Sequence, residues 1–140
     1  MEDLLKRAIE IAREAHKGQV DKAGADYINH PLRVSSYCKN PIARIVALLH
    51  DTVEDTFVTL DSLRDEGFPE FIVSSVDNLT RKEGESYKNF ILRCKSNPIS
   101  QEVKLADLKD NMDLSRIPNP TLYDFRRLEK YKKAEKLLLS

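Results

Sequence analysis

His50 and Asp51 stand side by side at the end of an apolar run, in the stretch LLHDTVEDT that covers residues 48–56, and Glu54 and Asp55 follow closely behind them. Four ionisable groups at the edge of a core form a costly arrangement, because an isolated buried charge loses its hydration. A divalent cation offsets that cost. It also supplies chemistry, since it acidifies a water and polarises a phosphoryl oxygen. A His–Asp pair alone is more often a hydrogen-bonded core pair or a helix cap, so a metal site needs partners elsewhere. His30 precedes Pro31 at the exit of a glycine-bearing loop, and Asp107 lies in VKLADLKDNMDL, residues 103–114. In that segment Lys104, Asp107 and Asn111 recur at i, i+3 and i+7, one polar stripe on a helix otherwise apolar enough to be internal. The plainer alternative is a solvated face with a Lys104–Asp107 pair.

The elements that must bring these residues together are helical by periodicity. Leu4, Leu5, Ala8, Ile9 and Ala12 make one stripe over residues 3–17, which Gly18 ends. Residues 18–29 carry two glycines and no stripe and are expected to form a loop, with room for a short extended turn. Asn40-Pro41, Asn97-Pro98 and Asn119-Pro120 each read as a helix start, with Asn capping orphan amides and Pro losing no hydrogen bond; His30-Pro31 is a fourth candidate. The expected helices then cover about 31–38, 41–54, 59–66, 69–79, 86–96, 98–114 and 120–138. Residues 71–76, FIVSSV, could pass for a strand, but Ile72, Val76 and Leu79 continue at helical spacing. A single 41–54 helix would set Glu54 one turn above His50 and Asp55 one turn above Asp51, with Ile42, Ile45, Val46, Leu49 and Val53 as its buried stripe.

With no repeat and no Gly/Ser linker, the 140 residues are expected to form one all-α domain, a helical bundle spanning 1–140. Lys and Arg together number 23, as do Asp and Glu, so no global basic field argues for nucleic acid or anionic membrane. Cys38 and Cys94 form no CxxC pair, which excludes a zinc knuckle and leaves two reduced, half-buried thiols as the expectation. The N-terminus lacks the apolar core of a signal peptide and the longest apolar run, residues 45–49, is far too short to span a bilayer, so a cytoplasmic protein is expected.

His30, His50-Asp51 and Asp107 match the H…HD…D pattern of HD-domain metal phosphohydrolases. The blocks AHKGQVDKAGADYINHP (15–31), ALLHDTVEDT (47–56) and VKLADLKDNM (103–112) resemble, in order and spacing, the signatures of the RelA/SpoT-type hydrolase domain. With no region for a synthetase domain, the sequence is most similar to the small, stand-alone alarmone hydrolases. The resemblance implies an all-helical HD fold and four ligands for one divalent metal: His30, His50, Asp51 and Asp107. It implies manganese, with iron(II) as the other candidate for such a donor set. Glu54 and Asp55 match the ED of HDxxED and would steer and deprotonate the attacking water, then assist the leaving oxygen; which of them is the base stays open. Lys22 would bind phosphate and Asn111 the nucleotide. The implied reaction is hydrolysis of the 3′-pyrophosphate of ppGpp or pppGpp to GDP or GTP and pyrophosphate.

The chain departs from the pattern on the nucleotide side. Asp21 stands where the family usually has an arginine that stacks on guanine, and Leu108, Lys109, Asp110 and Asp113 replace the residues common after the metal aspartate. An acid at position 21 cannot stack as a guanidinium and would repel phosphates. Two alternatives are therefore kept: an HD hydrolase acting on another nucleotide or phosphate ester, and a non-catalytic binding module that keeps a metal for stability. His16 is expected to be a helix-end histidine satisfied by carbonyls, Tyr27 to face either nucleotide or core, and RRLEKYKKAEKLLLS at the C-terminus to dock its Leu128/Tyr131/Leu138 side on the bundle.

Overall fold

The computed structural model describes residues 1–140 and contains nine helices and no strand: α1 (Glu2–Ala15), α2 (Asn29–Tyr37), α3 (Pro41–Leu49), α4 (Thr52–Asp55), α5 (Leu60–Asp65), α6 (Glu70–Asn78), α7 (Tyr87–Lys95), α8 (Pro98–Asn111) and α9 (Leu122–Leu139). The all-α expectation holds. The loop at 18–29 holds too, tied by one isolated bridge between Val20 and Asp26, and the FIVSSV segment lies in α6. Gly18 follows the end of α1 at φ +84°, a left-handed turn that glycine enters without a Cβ penalty.

α3 is the central element. Ala43, Ile45, Val46, Ala47, Leu48 and Leu49 are all buried, so it is apolar nearly all round, and it packs against α1, α2, α6 and α8. Burying each of Ile45, Leu48 and Leu49 contributes about 1.5–3 kcal/mol. α8 is the second hub, in contact with α2, α3, α6, α7 and α9. One continuous core runs from Ala8 in α1 to Leu138 in α9. The terminal helix docks through Tyr131, Ala134 and Leu138, so the docking expectation is met with Ala134 added and Leu128 only half-buried.

Two of the Asn-Pro starts are real caps. Asn40 Oδ1 accepts from the Ile42 amide at 2.8 Å, and Asn97 Oδ1 accepts from the Ile99 and Ser100 amides at 2.8 and 3.1 Å. Pro31 sits in the first turn of α2, where it displaces no bond. The third pair is not a start: α9 begins at Leu122, because Thr121 and Asp124 form a capping box that meets two orphan donors instead of one.

The expected 41–54 helix is broken. α3 ends at Leu49 and α4 begins at Thr52, with Asp51 in the N-cap position. The reason lies in the side chains. His50 Nδ1 donates to the Ala47 carbonyl and Thr52 Oγ1 to the Leu49 carbonyl at 2.8 Å, capturing acceptors that a continuing helix would have used. Both cysteines are free and fully buried, not half-buried. No helix is long and apolar enough to cross a membrane.

Candidate metal centre and its cavity

The break after α3 builds the site. On one unbroken helix His50 and Asp51 would diverge by about 100°. Across the break, His50 Nε2 and Asp51 Oδ2 lie 3.2 Å apart. α2 brings His30, whose Nε2 is 2.9 Å from Asp107 Oδ1 and 3.5 Å from Asp51 Oδ2. α8 brings Asp107, whose Oδ1 is also 3.3 Å from His50 Nε2. One donor atom from each of His30, His50, Asp51 and Asp107 falls within 4.8 Å of the others.

This donor set fits a divalent cation. Both imidazoles aim Nε2 at the shared point because Nδ1 is anchored behind it: His30 Nδ1 donates to Asp110 Oδ2 at 2.6 Å, and His50 Nδ1 to the Ala47 carbonyl. Fixing the Nδ1–H tautomer in this way leaves the Nε2 lone pair for a ligand. The four residues can therefore hold a divalent metal, with two nitrogens and two carboxylates on offer.

The charges explain how the cluster stands inside the fold. Burial works against a charged His30 ring, but Asp107 and Asp110 outweigh it and raise its pKa to about 9. His50 is raised well above its ordinary value in the same way, by Asp51 and Asp107. Burial pushes the other way on Asp51, yet His50 holds it below the carboxylate range; Asp107 is held down by Lys104 and by both imidazoles. Metal uptake must then displace a proton from each ring, so it weakens as pH falls.

Several residues of the site were not legible as site residues. Asp110, one turn after Asp107, accepts from His30, from Arg33 Nε at 2.7 Å and from Arg116 Nη2 at 3.0 Å, and is itself buried. Its signal was the matched i, i+3 spacing of His30/Arg33 and Asp107/Asp110. Tyr27 donates its hydroxyl to Asp51 Oδ2 at 2.6 Å, so it faces the metal cluster. His16 is not satisfied by carbonyls: its Nδ1 meets Gln19 Oε1 at 3.0 Å, its ring packs 4.9 Å from Tyr27, and its Nε2 has no partner. The Lys104–Asp107 pair exists at 2.9 Å, but on the wall of a cavity and not on a solvated face.

That cavity has a volume of about 510 Å³ and carries the four candidate ligands at its base. Glu54 and Asp55, from α4, open onto it next to Asp51. Burial in the cleft raises the pKa of both, and Asp51 adds to it. Asn111 also lines the cavity and donates to Asp107 Oδ1 at 3.3 Å. Lys22 lines it too, but its ammonium is engaged: Nζ is 3.1 Å from Asp124 Oδ1 and 4.2 Å from the Tyr123 ring centroid. Asp21 Oδ1 accepts the Ala23 and Ala25 amides, both at 2.9 Å, so its charge is turned into its own loop. Arg81, Arg127 and Lys130 also line the cavity with side-chain cations that have no carboxylate partner, the Arg81 amide donating to Glu54 Oε2 at 3.4 Å, and Lys130 is lowered in pKa by burial and by Arg81, Arg127 and Lys104. Between them stands Tyr87, whose buried hydroxyl has no hydrogen-bond partner. Such an unmet group costs about 1–3 kcal/mol.

No family model matches the chain. Curated relatives do. A guanosine-3′,5′-bis(diphosphate) 3′-pyrophosphohydrolase of Aquifex aeolicus is 35% identical over 144 residues, covering 94% of this chain and 19% of that protein. One of the same description from Haemophilus influenzae is 37% identical over 116 residues, covering 73% of this chain and 17% of its own length. A probable GTP pyrophosphokinase of Mycobacterium leprae is 33% identical over 130 residues, 84% of this chain and 16% of that protein. The chain thus spans less than a fifth of the length of these relatives. Among solved structures, one described as a metazoan ortholog of SpoT that hydrolyzes ppGpp matches with a TM-score of 0.78 at 23% identity, over 97% of this chain and 83% of that one, and shows the fold to be shared. In its three ordered sequence blocks and its H…HD…D cluster closed in space, this chain is similar to HD-type, RelA/SpoT hydrolase-like proteins, and it shares their helical fold.

Proposed function

We propose that the chain hydrolyses the 3′-pyrophosphate of ppGpp or pppGpp, giving GDP or GTP and pyrophosphate, with manganese at the His30–His50–Asp51–Asp107 cluster. The observation that carries this reading is the convergence of those four donors at the base of a cavity that also holds two further carboxylates and a cationic wall. The names of the relatives supply the nucleotide. A divalent cation held by the four residues supplies a Lewis acid and an acidified water. A mixed nitrogen–oxygen set suits manganese or iron(II), and a cytoplasmic nucleotide pool is the natural setting.

The protein's own groups divide the work. Glu54 and Asp55 orient the attacking water and take its proton at a carboxylate oxygen; their raised pKa values make them better bases near neutrality than an ordinary carboxylate. Water oxygen bonds to phosphorus, the bond from phosphorus to the ribose 3′ oxygen breaks, and that oxygen leaves with a proton. Arg81, Arg127 and Lys130 receive phosphate charge, and Asn111 contacts the nucleoside. Lys22 contributes as a cation already held by Asp124, so it acts at a fixed place instead of reaching for the ligand. All of residues 1–140 act as one unit, because α9 closes the cavity that α2, α4 and α8 begin.

The decisive measurement is incubation of pure protein with manganese and ppGpp, with products separated by ion exchange. GDP and pyrophosphate in equal amounts are expected, and a chelator should stop the reaction. Metal-loaded protein without turnover would remove this substrate. Orthophosphate released from other nucleotides would point instead to a different phosphate ester, a reading that Asp21 favours because it provides no guanidinium for a base to stack on.

A further inference from the structure

We infer that Tyr87 is a substrate-binding residue whose hydroxyl donates a hydrogen bond to a phosphoryl oxygen in the cavity; this rests on the phosphate chemistry proposed above. Tyr87 opens α7 and forms part of the cavity wall between the metal cluster and α9. Its hydroxyl is the buried polar atom of this wall that the protein leaves without a partner. Native folds rarely leave such a group unmet, and where they do the reason is often functional.

The surroundings specify the partner. Lys130 Nζ lies 4.0 Å over the Tyr87 ring and the Arg81 guanidinium 5.6 Å from it, so the ring is flanked by cations. Lys104 and Asp107 act on the hydroxyl from the inner side, but Asp107 is already shared among His30, His50, Lys104 and Asn111. Phe90 meets the ring edge-on at 6.2 Å and holds it in place. A donor hydroxyl among cations, with no acceptor left to it, suits an anionic oxygen. Lys130 is exposed, and exposed side chains change rotamer on the picosecond-to-nanosecond scale, so its ammonium can turn from the Tyr87 ring toward an arriving phosphate.

The test is Tyr87→Phe, which keeps the ring and removes only the oxygen. The melting temperature should stay level or rise, because no protein hydrogen bond is lost. For ppGpp, kcat/KM should fall about tenfold, the low end for a hydrogen bond to a charged group. Tyr37→Phe, at a ring outside the cavity, should change neither quantity. An unchanged kcat/KM would overturn the inference, as would a fall in activity that only tracks a fall in melting temperature. Should the wild type fail to turn over ppGpp at all, the proposed substrate falls and Tyr87 is judged separately. Calorimetry with inorganic pyrophosphate and manganese-loaded protein then decides: binding weakened about tenfold by Tyr87→Phe supports the role, and equal binding removes it.

Discussion

At the residue scale, the candidate metal site depends on the groups behind its four donor residues as much as on the donors. Asp110 fixes the His30 ring, and two guanidiniums fix Asp110. Replacing a carboxylate that orients a metal-ligating histidine typically costs ten- to a hundredfold in metal affinity. Asp110→Asn should therefore weaken manganese binding by about that factor, read by competition with a chromogenic chelator, while Arg33 and Arg116, both partly exposed, limit the loss of folding stability. Affinity equal to wild type would mean that the ring is held by packing alone. The departure at position 21 also changes meaning at this scale. The sequence suggested an acid facing phosphates, whereas its carboxylate caps the loop through two backbone amides, so its repulsion is blunted.

At the element scale, the 79–86 connection between α6 and α7 carries Arg81 to the cavity, and an ion pair holds it there. Arg93 reaches from α7 to Glu85 at 2.8 and 2.9 Å and also donates to the Asp77 and Thr80 carbonyls. The hydrogen bonds from Arg93, and from the Lys82 amide, hold the Glu85 carboxyl down to about 2. A carboxylate whose folded pKa is depressed stabilises above its unfolded value near 4.5, and that contribution disappears as pH falls toward 2. Glu85→Gln should accordingly lower stability at pH 7 and flatten its decline between about pH 4.5 and 2, followed by denaturant melts across that range. Parallel curves for the two proteins would show that the pair is screened by solvent.

At the scale of the whole molecule, the four donors come from three separate places in the chain: α2, the α3–α4 junction and α8. A bound cation would cross-link them and stabilise only the folded state. At a hundred times the dissociation constant, that linkage adds about 2.7 kcal/mol. For a chain of this size, this corresponds to a rise in melting temperature on the order of 10 °C. Differential scanning fluorimetry with manganese, then with excess chelator, checks it. A melting temperature indifferent to metal would leave the four residues as a hydrogen-bonded core cluster.

The sequence alone determined that the protein is helical and where Asn40 and Asn97 start helices, because periodicity and caps are local properties that the chain carries wherever it folds; that His30, His50, Asp51 and Asp107 belong together was implied only by the resemblance of its three ordered blocks to a known family. It could not show that α3 ends at Leu49, since that depends on side chains outcompeting backbone carbonyls by a small margin. Nor could it show that Lys22 is engaged by Asp124, 102 residues away, that Asp110 anchors His30 or that Tyr87 is left unpartnered. Those facts belong to the tertiary structure, because which donor meets which acceptor across the cavity is settled only when α2, α7, α8 and α9 pack around the same core.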